Sequence, residues 1–388
     1  MSSFNSITFQ DKLQQTGVIG FETASFYNTK TLPCGEMRSI PLKITSKFTK
    51  KNDSNNIEVD HHAPLKISLN NRVINLNPEK SDIKKGGESH YCITRDQDNQ
   101  QYGILFQLNN SDRRIQQNFI KMVDVGNKLE SLGYKAGKAL GVTEYQDTSF
   151  FLGNQYAEKD ENELAKGIIV QHIPGKDLST IYKNENIPLK SCFEIGSIIA
   201  SGSEDMYNNN KLEHRDIKPN NFILTDNAIE KIRGNKGINK DDVYFIDLTS
   251  FSSKKDNKET VGTVSYMAAW EASNIKRKMH GLHESSFVAE IHPDVLANKR
   301  MAVLAVATVS AMIMGRDPLR GHFTEKPSTC HELLHQRSNP DHKLDFELME
   351  QKGTPKEFIQ LCKRSWSKNP HDAPTLNEIQ SVFKDLAK

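Results

Sequence analysis

The sequence predicts an α+β chain built as two lobes. Strand-like runs gather before residue 174, helical spacing dominates after it, and compact polar segments separate the helices. A cleft between two lobes is a common place for a small-molecule site. Residues 1–85 are rich in Asn, Lys, Ser and Thr and carry only short β-like patches, at Leu65–Leu69 and Val73–Leu76. They are expected to form an irregular N-terminal extension. The texture changes at Gly86-Gly87. A strand is expected over His90–Thr94, a polar turn over Arg95–Gln101, and a second strand over Tyr102–Leu108. Arg114–Leu132 then sets Ile115, Phe119, Met122, Val123, Val125 and Leu129 at helical spacing. Gly167–Ile173 is an apolar strand that stops at Pro174-Gly175, a turn signal. Helical patterns follow over Lys190–Met206, Met301–Met314, Pro355–Trp366 and Leu376–Ala387. The expected organisation is an extension over 1–85, a small β-rich lobe over 86–173 and a helical lobe over 174–388.

Composition narrows the function classes. Of 388 residues, 51 are Lys or Arg and 49 are Asp or Glu, a net charge of +2. A nucleic-acid binder would carry a strong basic excess, so none is expected as partner. The basic runs Lys50-Lys51, Lys84-Lys85, Lys254-Lys255 and Lys276-Arg277-Lys278 read as solvated faces, with docking of an anionic activator as the alternative. Five cysteines (Cys34, Cys92, Cys192, Cys330, Cys362) lie far apart without a C-x-x-C pair, which points to reduced thiols in a cytoplasmic setting. The N-terminus lacks the basic-then-apolar layout of a signal peptide. The longest apolar stretch, Met301–Met314, falls short of the roughly 18 residues of a membrane span, so a buried core helix is expected and no transmembrane segment.

Chemistry concentrates in Leu212-Glu213-His214-Arg215-Asp216-Ile217-Lys218-Pro219-Asn220-Asn221-Phe222-Ile223-Leu224. Phosphoryl transfer needs a carboxylate beside the attacking hydroxyl, a cation near the moving phosphate and an oxygen ligand for Mg²⁺. Here His-Arg-Asp is followed by Asn five positions after the Asp, and the segment resembles the catalytic loop of protein kinases. The resemblance implies that Asp216 orients the substrate hydroxyl and accepts its proton, that Lys218 stabilises the transferred phosphate, and that Asn221 binds metal. Ile223, in the apolar run behind them, would line the nucleotide site. The Lys-Pro after the Asp is closer to Ser/Thr kinases than to tyrosine kinases.

Downstream, the apolar run Val243-Tyr244-Phe245-Ile246 delivers Asp247-Leu248-Thr249. This resembles the kinase metal-binding strand with D-L-T where D-F-G is usual, and implies that Asp247 holds Mg²⁺ (or Mn²⁺) against the phosphates of ATP. The separation from Asp216 is long for kinases, and Asp226–Asp241 reads as an insertion within that hairpin. Gly262-Thr263-Val264-Ser265-Tyr266-Met267-Ala268-Ala269-Trp270-Glu271 resembles the G-T-x-x-Y-M-A-P-E end of an activation segment. Ala269 stands for the Pro and Trp270 for the Glu, with Glu271 one step late. The Arg that kinases pair with that Glu falls on Ala373, in Asn369-Pro370-His371-Asp372-Ala373-Pro374-Thr375. Loss of both partners together is what the cost of a lone buried charge favours. Arg215 would clamp a phosphate on the segment Asp247–Glu271.

Ile168–Leu178 resembles the last strand of a kinase N-lobe and its hinge. Backbone groups of Gln171, His172 and Ile173 would bond adenine, and Asp177 would reach the ribose. Met301–Met314 fits the central C-lobe helix, but the Asp that usually opens it and braces the catalytic loop is missing, with Arg300 or Met301 near its place. The resemblance covers roughly residues 165–376, and the N-lobe departs from it. Gly86-Gly87-Glu88-Ser89 reads either as the phosphate cover in place of G-x-G-x-x-G or as a bare turn. The Lys of V-A-I-K falls on Gln107, with Lys66 in Pro64-Leu65-Lys66-Ile67 as the alternative, and Glu130 or Asp124 is the acidic partner on the following helix.

The implied architecture is a bilobal protein-kinase-like fold, and the implied activity is ATP-dependent phosphorylation of Ser or Thr in a protein substrate. Three other readings stand beside it. A pseudokinase would bind nucleotide without transfer, and kinase-fold enzymes also transfer AMP or glutamate. His331-Glu332-Leu333-Leu334-His335 is formally a zinc-protease H-E-x-x-H, with Glu347 or Glu350 as third ligand. A eukaryote-like loop in an Asn/Lys-rich chain also resembles kinases that intracellular bacteria inject into host cells, which implies a host cytosol as one destination.

Overall fold

The computed structural model describes residues 65–69, 72–76, 83–85, 89–96, 98–107, 112–145, 165–253, 263–283, 285–318, 334, 337–338 and 344–388. The fold is mixed α+β, and the chain divides into two units. The first takes in residues up to Gly126 and Gly137–His172; the second takes in Asn127–Ala136 and Ile173–Lys388.

The first unit is organised by a seven-stranded sheet. Its strands are β1 (Leu65–Leu69), β2 (Arg72–Leu76), β3 (Ile83–Lys85), β4 (Ser89–Asp96), β5 (Gln101–Gln107), β7 (Ala139–Tyr145) and β8 (Ala165–Gln171), in the order β1-β2-β4-β5-β8-β7 with β3 alongside β4. The patches read from sequence as parts of an extension are thus strands of this sheet. Cys92, Thr94, Tyr102, Ile104, Ile168 and Ile169 are buried, while Tyr91, Ile93 and Leu105 are half-buried, which gives β4 and β5 the alternation of a strand pair with one covered face. Helix α1 (Asp112–Ser131) follows the predicted spacing, burying Ile115, Phe119, Met122, Val125 and Leu129. Asp124 and Glu130 lie on its exposed side.

The second unit joins β6 (Lys135–Ala136) to β9 (Gly175–Asp177), β11 (Phe222–Thr225) and β12 (Val243–Phe245), in the order β6-β12-β11-β9, with β6 parallel to β12. Around this sheet run α2 (Leu178–Asn184), α3 (Leu189–Asn210), α4 (Asp226–Arg233), α5 (Ala269–Met279), α6 (Ser286–Ala289), α7 (Pro293–Met314), α8 (Phe346–Gln351), α9 (Lys356–Ser365) and α10 (Leu376–Leu386). A separate two-stranded ladder pairs β10 (Leu212–His214) with β13 (Phe251–Ser253).

Helix α7 is the centre of this unit, and Met301–Met314 is buried without a break. It starts earlier than the apolar stretch suggests, with Pro293 in its first turn, and stops at Gly315, whose φ of 73° suits a residue without Cβ. At 22 residues it is the one described helix long and apolar enough to cross a membrane, but 78% of its apolar window is buried inside the fold, as in a core helix. Helix α3 packs against it so closely that a Cβ on Gly196 would stand 2.5 Å from Val309 Cγ2. Phe193, Phe358 and Phe383 fill the space beside this crossing. The insertion between β11 and β12 contains α4, capped by Thr225 and burying Ala228, Ile229 and Ile232, and closes with Lys231 paired to Asp242 at 2.8 Å.

Candidate active site

The site is assembled by a turn, two short ladders and two left-handed residues. Helix α3 ends at Lys211, whose φ of 55° swings the chain into β10. Glu213 then stands opposite Ser252 and His214 opposite Phe251, and Arg215 N–H donates to the Ser250 carbonyl at 3.2 Å. The chain entering Asp216 is therefore tied to the chain leaving Asp247. After Asp216, one 3-10 turn over Pro219–Asn221 feeds β11, and Ile246 N–H donates back to the Asn221 carbonyl at 3.0 Å. Asp247 ends the ladder at φ 53°, ψ 51°. A non-Gly residue held there is strained, and the surrounding bonds have to maintain it.

These constraints bring Asp216, Lys218, Asn221 and Asp247 together. Asp216 is 7% exposed. Its Oδ1 accepts from the Thr263 N–H and Oγ1, both at 2.9 Å, and its Oδ2 accepts from Lys218 Nζ at 2.6 Å and Asn221 Nδ2 at 3.2 Å. Lys218 Nζ also donates to Thr263 Oγ1 at 2.7 Å. Burial raises the Asp216 pKa, but the Lys218 ammonium and the hydrogen bonds from Lys218 and Thr263 outweigh it and hold the carboxyl below its usual range. Asp216 is an ionised carboxylate fixed by four donors.

Asn221 is oriented by its own amide: Nδ2 donates to the Asp216 carbonyl at 2.7 Å and faces Asp247 Oδ2 at 3.4 Å. That leaves Oδ1, a hard oxygen, as the atom it offers to a ligand. Asp247 is exposed, with Thr249 Oγ1 donating to its Oδ1 and Ser250 Oγ to its Oδ2, each at 2.7 Å. One carboxylate and one amide oxygen suit Mg²⁺ or Mn²⁺, which keeps waters and phosphate oxygens as its remaining ligands. Among the described residues no group of three or more His, Cys, Asp and Glu could hold a metal ion. Of the formal zinc motif, His331, Glu332 and His335 lie outside the described residues, and Glu347 and Glu350 sit on α8.

His214 lies under the loop, fully buried and stacked on Phe251 with ring centroids 4.4 Å apart. Burial pushes its pKa down to about 4, against the pull of Asp216 and Asp247, so the ring is neutral. Arg215 is buried and acts electrostatically on the Glu271 carboxyl.

The expected nucleotide contacts fare differently. Gln171 N–H is committed to the Lys138 carbonyl at 2.8 Å, so it is a sheet donor and not a free adenine donor. His172 Nδ1 pairs with Tyr91 Oη at 3.1 Å, and Ile173 is buried at 5% exposure. Asp177 is the N-cap of α2, its two carboxylate oxygens accepting from Thr180 N–H and Thr180 Oγ1 at 2.9 and 2.7 Å. Ile223 stands opposite Asp177 in the β9–β11 ladder, half-buried while Phe222 and Leu224 are buried. Gln107 ends β5 opposite Ser89, and Lys66 lies in β1 opposite Asn75; their side chains, like all of Gly86 and Gly87, lie outside the described residues.

Three residues here are invisible to motif reading. Thr263, read as one letter of G-T-x-x-Y, makes three of the bonds around Asp216 and Lys218. Glu213 and Arg300 form a buried ion pair directly before the loop, and Arg300 Nε holds Glu271 at 2.7 Å. Trp270 and Ala373 pack into one apolar cluster with Ala268, Val288 and Val303. No protein-family model and no curated protein matches this chain.

Proposed function

We propose that the chain is a bilobal, protein-kinase-like enzyme that transfers the γ-phosphate of ATP to a Ser or Thr hydroxyl of a protein substrate. One observation carries the reading: the Lys218 ammonium, an ionised Asp216, the Asn221 amide and the exposed Asp247 carboxylate are linked in that order by hydrogen-bonding contacts. A buried carboxylate kept ionised by a neighbouring cation is a group that can orient a hydroxyl and take its proton. Lys218 is 22% exposed at its side chain, so its ammonium can serve an incoming phosphoryl oxygen as well as Asp216. Asp247 and Asn221 Oδ1 would hold the Mg²⁺, which when bound supplies charge neutralisation to the triphosphate. Thr263 fixes the position of Asp216 by two bonds and leaves the proton acceptor no freedom to rotate away from the substrate hydroxyl.

The test is transfer of label from γ-labelled ATP to a cell extract or to the chain itself. Asp216→Ala and Asp247→Ala should each lower transfer by at least about a hundredfold while the thermal unfolding transition is retained. Full activity in either variant refutes the assigned roles. Label transferred only from α-labelled ATP identifies AMP transfer. Nucleotide-dependent stabilisation without any transfer identifies a nucleotide-binding module, the reading that Gln107 in the place of a Lys favours.

A further inference from the structure

We propose that Arg300 is a positioning residue: through the buried ion pairs Glu213–Arg300–Glu271 it fixes the catalytic loop and the end of the segment that carries Thr263 in one arrangement. The inference rests on the phosphoryl-transfer reading for its effect on rate, but its structural half stands apart from that reading.

Glu213 and Glu271 are 4% and 8% exposed. Arg300 hydrogen-bonds Glu213 Oε1 through Nη1 and pairs with Glu271 Oε1 through Nε at 2.7 Å, so one planar guanidinium binds two carboxylates from different elements. The two carboxylates hold the guanidinium well above its usual pKa, against the cost of burial. The connectivity gives this its meaning. Glu213 lies three residues before Asp216, and Glu271 lies in the first turn of α5, just beyond the Thr263 that holds Asp216. Arg300 thus joins the two stretches of chain whose relative position sets the Asp216–Thr263–Lys218 bonds.

Helix α7 also reaches the other side of Asp216, since Thr308 Oγ1 lies 3.4 Å from the Ile217 carbonyl. The loop is contacted before and after its carboxylate by one helix, from Arg300 and from the buried Thr308. On its outer side the pair borders a cavity of about 240 Å³ lined also by Tyr207, Ser252 and Leu296. Arg215 acts on Glu271 as well, which adds the loop's own cation to the same network.

Removing Arg300 alone would strand two buried carboxylates and can prevent folding. The informative variant is neutral: Glu213→Gln, Arg300→Met and Glu271→Gln together. Replacing a buried ion network by neutral groups of similar size is compatible with folding, but it removes the geometry that a fork with two fixed partners imposes. The expected result is a fall in kcat of tenfold or more with the KM for ATP within twofold of wild type. Amide hydrogen exchange should speed up in peptides spanning 212–218 and 266–272. The single variant Arg300→Lys, which keeps the charge and loses the fork, should fold and give a smaller loss of kcat of the same kind. A purely structural role would lower the melting temperature and leave kcat untouched below it. Wild-type kcat in the neutral variant overturns the positioning role, and unchanged exchange overturns the linkage itself. If the wild-type chain transfers no phosphate, the enzymatic reading falls, and the exchange measurement still decides whether Arg300 joins the two segments.

Discussion

His214 offers a measurement that tests the inside of the site without any substrate. The ring has no exposure, and among the described residues neither nitrogen has a hydrogen-bond partner. It is held by stacking on Phe251 and by the neighbouring rings of Phe222 and Phe245. Burial lowers its pKa from 6.5 to about 4, so in the folded state it resists a proton that the unfolded chain accepts. The sign follows. Between these two values the unfolded state binds more protons, and stability therefore rises with pH. The His214 contribution is fully present above about pH 6.5 and is lost progressively as the pH falls toward 4. At pH 5 the loss is about 2 kcal/mol, and it approaches about 3 kcal/mol below the folded pKa. In His214→Phe the ring is retained and the titration removed. Urea unfolding of both proteins at pH 7.5 and pH 5 should show the variant losing about 2 kcal/mol less than wild type over that interval. Equal losses would mean that the ring is hydrated or paired in the folded protein, and the description of the pocket under Asp216 would be wrong.

Two further substitutions probe the same unit. Gly196→Ala places a methyl 2.5 Å from Val309 Cγ2 and should destabilise by about 1–3 kcal/mol in denaturant unfolding; a neutral change would refute the close helix crossing. Thr263→Val keeps the side-chain shape and the backbone N–H bond to Asp216 but deletes the hydroxyl shared with Lys218. It should lower kcat for phosphate transfer by about tenfold, with recovery in Thr263→Ser, because one of four donors to the carboxylate is gone. Retention of full activity in Thr263→Val would remove Thr263 from the site.

Much of this unit was legible in the sequence because its signals are local. The His-Arg-Asp run, the Pro-Asn-Asn turn and the strand ending in Asp247 each lie within a few residues, and turn chemistry and β-alternation suffice to read them. The β-like patches at Leu65–Leu69 and Val73–Leu76 are legible, but their place in a larger sheet is not, for the opposite reason. Strands of three to five residues carry too little alternation to announce a sheet, and the pairing of β2 and β3 with β4 is not written in any one of them. Asp177 shows a second limit: a carboxylate before a helix fits an N-cap and a ligand role equally well on paper, and its bonds to Thr180 are what show the cap. Thr263 and Arg300 were missed because nothing in their neighbours specifies that 47 and 87 positions away lies their partner.

One ion pair connects these observations. The resemblance leads one to expect a carboxylate at position 270 and an Arg at position 373. The structure has an indole and a methyl at those positions, packed into the same apolar cluster. A salt bridge and an apolar contact are alternative solutions to one buried volume, and a mixture of the two would strand a charge. The carboxylate that remains, Glu271, turns instead to Arg300 on α7, and Trp270 lies over the same guanidinium with 6.0 Å between its ring centroid and Cζ. Where the resemblance would put an anchor in the C-terminal part of the unit, Glu271 is held by the helix that also holds Glu213. One consequence is mechanical: the loop bearing Asp216 and the segment bearing Thr263 share the Arg300 cation, so neither can be displaced without disturbing the other.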